Sequence, residues 1–492
     1  MLRKCASVLA VLVGCAVATA AEPDLSAFET AGRALRVSDL PRRGAVMAVF
    51  ESRAEQPLVV SEDARGFHAT RLQFRHTLQP GPGVENWRIA TGLALRKLER
   101  LPDWPAVFSY RLTYGDGQTV TIPVRFGEGI REWYRVQTVA PMLWAREHEA
   151  RVLDAKTTEK AVLYTMDVPN PRPDVAITRI EAVPTDDPLE DFGRALIADV
   201  SHTSEPRGGK LIFVDRQPLG SDAQPGTFAA PYGTLQKAVD AAGPGDTVLV
   251  RGGSYALNMP VIKTFTGTKD KWLTISAFPG ETPVFDARHI HFDYRVKPYG
   301  PLPPALTGAM QHDTGAICVK GNPGWLRIQG LTIEHSTRAG ISVAGLRDPD
   351  PGKPGWARWG VTSHVEIAFN TTWQTFSMGI IAHQVNDIRV LGNRILRPHS
   401  YAMARDPRTG QPTGQNGGAQ EAIDLSRCKR FEIGYNTVTG GSKEAIDCIS
   451  VEDGRIHHNY VLSCLNGIYI DAWTVPIQRL EIDHNFLQDP FN

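Results

Sequence analysis

The chain has 492 residues, 42% of them hydrophobic and 22% charged, and its 53 basic side chains balance its 53 acidic ones. Zero net charge with no run of like charge leaves no electrostatic footprint for nucleic acid, and past the N-terminus no stretch nears the ~18 apolar residues that span a bilayer. The length provides for two or three domains, and nothing in the composition asks for more than a monomer.

In chain order, Arg3 and Lys4 precede an apolar stretch over residues 8–17, and Ala18-Thr19-Ala20 offers a small-residue cleavage site before Glu22. This reads as a signal peptide over residues 1–20 and implies a secreted or periplasmic protein. A lipoprotein anchored through Cys15 is the alternative, because Leu12-Val13-Gly14-Cys15 is similar to a lipobox. The mature chain keeps Cys318, Cys428, Cys448 and Cys464, whose spacing fits no zinc pattern. They read as small buried hydrophobes, with disulfides between structural repeats as the alternative.

Residues 42–198 change character. Alternating runs at 108–114 and 119–124 flank Gly115-Asp116-Gly117, which predicts a hairpin, and further strands surround 162–166 and 176–182. Several short strands with turn signals imply an antiparallel β-sandwich. Trp87, Trp104, Trp133 and Trp144 are candidates for its core or for stacking on sugar. With its Asn170-Pro171-Arg172-Pro173 turn, the segment resembles the galactose-binding-like β-sandwich modules that accompany carbohydrate enzymes, which implies a carbohydrate-binding role. Polar residues 201–209 read as a linker.

From residue 210 to 492 a repeat takes over. Glu421-Ala422-Ile423-Asp424, Glu444-Ala445-Ile446-Asp447 and Asn466-Gly467-Ile468-Tyr469-Ile470-Asp471 start 22 or 23 positions apart, and Asn370 to Asn393 and Asn436 to Asn459 each span 23. Units this short, rich in alternating Ile and Val, fit one coil of a parallel β-helix with Asn436 and Asn459 on one face. Residues 234–242 form a short amphipathic helix suited to capping the open end. Long Pro- and Gly-rich interruptions at 286–315, 346–360 and 397–420 break the beat. The last of these carries His399, Tyr401, Arg405 and Arg408 toward a groove beside Glu421. No closing cap follows Asn485, so the solenoid reads as truncated at its C-terminus.

Alternation gives the chemistry. Ile423, Leu425, Ile446, Cys448, Ile468 and Ile470 point inward, so Asp424 and Asp447 stack outward at about one strand spacing of 4.8 Å, facing water. Glu421 and Glu444 stack beside them, and Asp471 lies one coil on. Like charges this close raise each other's pKa unless a cation or a proton sits between them. Glu421, Asp424, Asp447 and Asp471 are therefore candidate Ca²⁺ ligands. Lys443 is a candidate base for β-elimination from a uronate, Arg427 and Arg455 are candidates for its carboxylate, and Tyr401 and Trp473 are further candidate contacts. The alternative is retaining hydrolysis, in which stacked carboxyl groups, Asp424 with Asp447 or Glu421 with Glu444, serve as nucleophile and acid/base. A third reading is a glycan-binding solenoid without catalysis. Adjacent His457 and His458 are expected on opposite faces of a strand.

The run Pro231-Tyr232-Gly233-Thr234-Leu235-Gln236-Lys237-Ala238-Val239, then Pro244-Gly245-Asp246-Thr247-Val248-Leu249-Val250 and Gly252-Gly253-Ser254-Tyr255, resembles the opening of right-handed parallel β-helix proteins of the pectate-lyase-like (pectin lyase-like) superfamily. That resemblance implies an all-β chain and a polysaccharide substrate, and the superfamily contains both lyases and hydrolases. Residues 417–424 are similar to the acidic strand of calcium-dependent alginate and chondroitin lyases, but Arg427 stands where those carry a lysine. Lys443 to Asp447 and Gly467 to Trp473 resemble segments of polysaccharide-utilisation enzymes.

Overall fold

A beat of about 23 residues leaves room for three strands of three to eight residues and three sharp corners, and that is how the described coils between residues 210 and 488 are spent. The computed structural model describes residues 48–134, 140–152, 160–185, 191–204, 208–290, 315–345, 359–399, 421–472 and 476–488. Among these, three parallel sheets run the length of the solenoid, each strand pairing with the equivalent one a coil away. One begins at Leu211–Val214 and ends at Gln478–Asp483, and is called here the ladder sheet. The short sheet runs from Gly253–Ala256 to Phe486–Gln488. The acid sheet comprises Val261–Phe265, Gly315–Asn322, Ala339–Ala344, Ile380–His383, Ile423–Ser426, Glu444–Ile449 and Asn466–Asp471.

The inward residues of all three sheets meet in one continuous aliphatic core from Ile212 to Cys464. Leu235, Ala238 and Val239 of the helix Leu235–Ala241 plug its first coil, and Thr234 caps that helix by accepting from the Lys237 N–H at 3.2 Å. Cys318, Cys428, Cys448 and Cys464 are free thiols buried in the solenoid.

Corners are made by residues in the left-handed region. Phe369, Gly392, Tyr435, His458 and His484 all have φ between 53° and 63°, and each is followed by an Asn. The left-handed turn costs each non-glycine residue of order 1 kcal/mol, and the following amide offsets it. Asn370, Asn393, Asn436, Asn459 and Asn485 form one hydrogen-bonded ladder, in which Asn393 Nδ2 donates to Asn436 Oδ1 at 3.0 Å and Asn436 Nδ2 to Asn459 Oδ1 at 3.0 Å. Asn436 and Asn459 thus share a face, as the period predicts. The same corner overturns the expectation for the adjacent histidines. With His458 at φ 53°, its Nδ1 lies 2.9 Å from Nδ1 of His457, whose other nitrogen meets Glu432 at 3.0 Å.

Preceding the solenoid, two antiparallel sheets pack face to face. One orders Ala48–Glu51, Gly193–Thr203, Arg71–Pro80, Lys160–Pro169 and Ala145–Val152; the other orders Leu58–Phe67, Ile177–Val183, Ala106–Tyr114 and Thr119–Arg125. The expected hairpin is the last pair. Asn170, fully buried, accepts from Tyr114 Oη at 2.6 Å and donates to Ala69 O, which ties the Asn-Pro-Arg-Pro turn to the core. Trp87, Trp104 and Trp144 pack against that core. Two features differ from the sequence reading. Strand Gly193–Thr203 runs into the segment expected to be a linker, because residues 201–203 pair with 71–73. A 16-residue helix, Pro82–Lys97, leaves the sandwich; its signals were Pro82 at the first turn and Arg96 and Lys97 at the last.

That helix decides how the two parts dock. Ala94, Leu95 and Leu101 pack on Trp373 and Leu396 of the short sheet, Arg100 pairs with Glu334 at 2.8 Å, and Arg125 Nε donates to Gly280 O at 2.6 Å. Phe213, Leu249 and Phe278 of the solenoid join the sandwich core. Among the described residues these contacts lie on the ladder and short sheets and the corner between them, so the sandwich sits away from the acid sheet.

Candidate active site

Register on the acid sheet follows from the inward Ile and Leu residues, since a one-residue slip would turn them out of the core. Ile423 pairs with Ile446, Asp424 with Asp447 and Leu425 with Cys448, and in the next coil Asp447 pairs with Tyr469 and Ile449 with Asp471. The two aspartates are therefore neighbours in one column, continued upstream by Ile381 and Ser342. The column does not face open water. Asp424 is 5% exposed and Asp447 2%. At a strand spacing of about 4.8 Å a short side chain is shaded by the residues above and below it.

Burial sets the electrostatics. Loss of hydration, then the charges of Glu421, Asp471 and Glu444, push the Asp447 carboxyl up to about 8. Its Oδ1 is buried and accepts no hydrogen bond. Glu421 is also raised, first by burial and then by Glu444 and Asp471, against the pull of Lys443. Glu444 accepts from Asn466 Nδ2 at 3.0 Å. Lys443 directly precedes the strand Glu444–Ile449 and stands close enough to Glu421 and His399 to bias the protonation of both. Lys443, Glu421, Glu444, Asp447 and Asp471 are thus brought into one patch, with Asp424 paired beside it.

Other expected residues are placed elsewhere. Arg427 occupies the corner after the acid sheet at φ 55°, is buried, and donates to Ser426 Oγ and His383 Nε2, both at 3.0 Å. Its guanidinium is engaged within the fold rather than presented to a groove. Arg455 stands on the ladder sheet, bidentate to Asp483 at 2.8 and 2.7 Å, so it is not at this site. Tyr401, Arg405, Arg408 and Trp473 lie outside the described residues.

One residue of the neighbouring column was not read from the sequence. A second outward column runs Lys320, Ala344, His383, Ser426, Ile449 and Asp471. Lys320 is buried with no hydrogen-bond partner for Nζ. The signal was there: carrying the alternation upstream past the interrupting loop places Lys320 five coils from Asp471 in the same column, with His383 between them. His399, expected only as a loop contact, is buried with both ring nitrogens unpartnered. Burial and then Lys443 push it down to about 3, so it is neutral.

Hard oxygen donors and mutual repulsion suit this patch to a calcium ion. Their placement suits it less: among the described residues no three His, Cys, Asp or Glu side chains converge as a metal-holding group. A proton on Asp447 relieves the same repulsion.

Residues 212–348 match the model of the Pel9A-like right-handed β-helix region, so that part of the solenoid is right-handed and pectate-lyase-like in fold. The chain is 30% identical over 154 residues to the uncharacterised protein YwoF of Bacillus subtilis, which is 31% of this chain and 29% of that protein. It is 36% identical over 73 residues to pectate lyase PEL9 of Emericella nidulans, 15% of this chain and 18% of that one. The chain thus spans less than a third of these curated relatives' length. Among solved structures, XylC in complex with xylose aligns at 13% identity and a TM-score of 0.37, covering 56% of this chain and 66% of that one.

Proposed function

We propose that this chain is an exported enzyme that cleaves glycosidic bonds of a polysaccharide at the acid sheet, with Asp447 as the proton donor. The observation that carries this reading is the register pair Asp424 and Asp447, of which Asp447 holds its proton up to about 8. Protonating a leaving glycosidic oxygen at neutral pH needs a carboxyl group whose pKa is raised in this way. Carboxyl groups about 5 Å apart, close to one strand spacing, suit a retaining hydrolase. Asp424 is then the nucleophile, and Glu421, Glu444 and Asp471 keep the proton on Asp447. Export rests on the N-terminal apolar segment followed by Ala18-Thr19-Ala20.

A second reading is β-elimination from a uronate with Lys443 as base. It is favoured by Lys443 standing beside Glu421 at the head of the Glu444–Ile449 strand. Glu421, Asp424, Asp447 and Asp471 would hold a calcium ion, which supplies a grip on the uronate carboxylate. Products separate the two. Hydrolysis of a neutral xylan or of pectate leaves no new ultraviolet absorbance, whereas elimination leaves an unsaturated, absorbing uronate. We expect new reducing ends without absorbance and no change in activity or melting temperature on chelation. Absorbance that requires calcium would replace the first reading by the second.

A further inference from the structure

Between the sandwich and the solenoid runs a cleft of about 800 Å³. It lies on the ladder sheet, a different face from the acid column, and is built from two surfaces. Arg71, Gln73, Trp144 and Thr165 line it from the sandwich, and Arg327, Glu366, Arg389 and Glu432 from the solenoid. The solenoid side is periodic. Register places Arg327, Glu366, Arg389 and Glu432 in successive strands of one column, so cation and anion alternate at about 4.8 Å. Each arginine is already held by its neighbours: Arg327 meets Glu366 at 2.8 Å, and Arg389 meets Glu366 at 3.4 Å and Glu432 at 2.8 Å. Arg71 and Asp167 pair in the same way on the sandwich wall, at 2.8 Å. Trp144, Phe369 and Tyr435 add apolar faces.

Such a row is rigid before any ligand arrives, which lowers the entropy cost of binding, and it offers donors and acceptors in strict alternation. A hydroxyl group both donates and accepts, so a polyhydroxylated chain can satisfy the row residue by residue. A polyanion meets Glu366 and Glu432 at every second position and is repelled there. The cleft's volume is that of a site for a ligand of a few rings, and domain interfaces are where such sites concentrate.

We propose that this cleft is a second carbohydrate-binding site, distinct from the acid column, which takes a neutral oligosaccharide lying along the solenoid axis. It is independent of whether the acid sheet hydrolyses, eliminates or only binds. The test is calorimetric titration of the full chain carrying Asp447→Asn with neutral xylo-, manno- and gluco-hexasaccharides and with a galacturonate hexasaccharide. Gln73→Arg, at an exposed sandwich residue on the opposite wall, fills the cleft, and Arg389→Gln removes one donor from the charge row. The expected result is binding of a neutral hexasaccharide that salt leaves unchanged and that each substitution weakens by about tenfold or more. Crosslinking or hydroxyl-radical footprinting of the bound state then protects Trp144 and Tyr435. No binding of any neutral probe, binding of the uronate alone, or a Gln73→Arg variant that binds like its parent would overturn the proposal.

Discussion

Asp447→Asn is expected to reduce bond cleavage by about 10²- to 10⁴-fold while leaving the solenoid folded, because asparagine is nearly isosteric with the protonated carboxyl but has no proton to give. In the parent, activity should fall as pH rises through about 8, where the Asp447 proton is lost. Stability provides an independent readout. An aspartate ordinarily titrates near pH 3.9 when unfolded, and here the folded group titrates near 8. Between those values the folded state binds the extra proton, so the contribution of Asp447 to stability is greatest below about pH 4, falls as pH rises and levels off above about 8. Discounted for screening, the fall is on the order of 2 kcal/mol. Asp447→Asn should remove that contribution, which the difference between the thermal melts of parent and variant from pH 4 to 9 would show. Under elimination by Lys443 the pattern changes: Lys443→Ala is then the lethal change and Asp447→Asn weakens binding. Full activity in both variants would remove the acid column from the chemistry.

The largest loss of stability is expected from Asn436→Ala. Oδ1 of Asn436 accepts from Asn393 N at 2.9 Å and from its Nδ2 at 3.0 Å. Nδ2 of Asn436 donates to Val390 O at 2.9 Å and to Asn459 Oδ1 at 3.0 Å. All of this lies in the interior, where Asn393 and Asn436 are fully buried. Alanine leaves a backbone N–H and a carbonyl without partners, each costing about 1–3 kcal/mol, and breaks the ladder between Asn393 and Asn459. A loss of about 3–5 kcal/mol follows, seen as a lower melting temperature of the solenoid transition. Asn436→Asp should not rescue it, because a second oxygen would then face Val390 O and Asn459 Oδ1. As a control, Arg389→Ala on the half-exposed charge ladder should change stability by less than about 1 kcal/mol. Equal losses in Asn436→Ala and the control would mean that the amide ladder contributes little.

The repeat was legible because a parallel solenoid copies sequence period into space. The 23-residue interval from Asn436 to Asn459 and the alternation in Ile423-Asp424-Leu425 fix the coil, the register and the pairing of Asp424 with Asp447 without reference to anything distant. Free cysteines in the core and the capping helix follow from the same local rules. The helix Pro82–Lys97 was missed because its signals are weak and its partners, Trp373 and Leu396, lie some 280 to 300 positions away. His457 and His458 were misplaced because strand alternation fails at a left-handed corner, which His458 occupies at φ 53°.

By itself, then, the sequence determined a stacked column of acids on a β-helix, since the chain can satisfy its apolar alternation in only one register. Tertiary structure alone decided what that column is like. It buried Asp424 and Asp447 where alternation had them facing water, took Arg427 into the corner beside His383, put Arg455 on another face, and buried His399 beside Lys443 at the edge of the acids. It also set the sandwich against the ladder and short sheets rather than the acid sheet. The physical reason is that register depends on neighbouring side chains in the strand, whereas burial, and with it the proton on Asp447, depends on which distant surfaces exclude water.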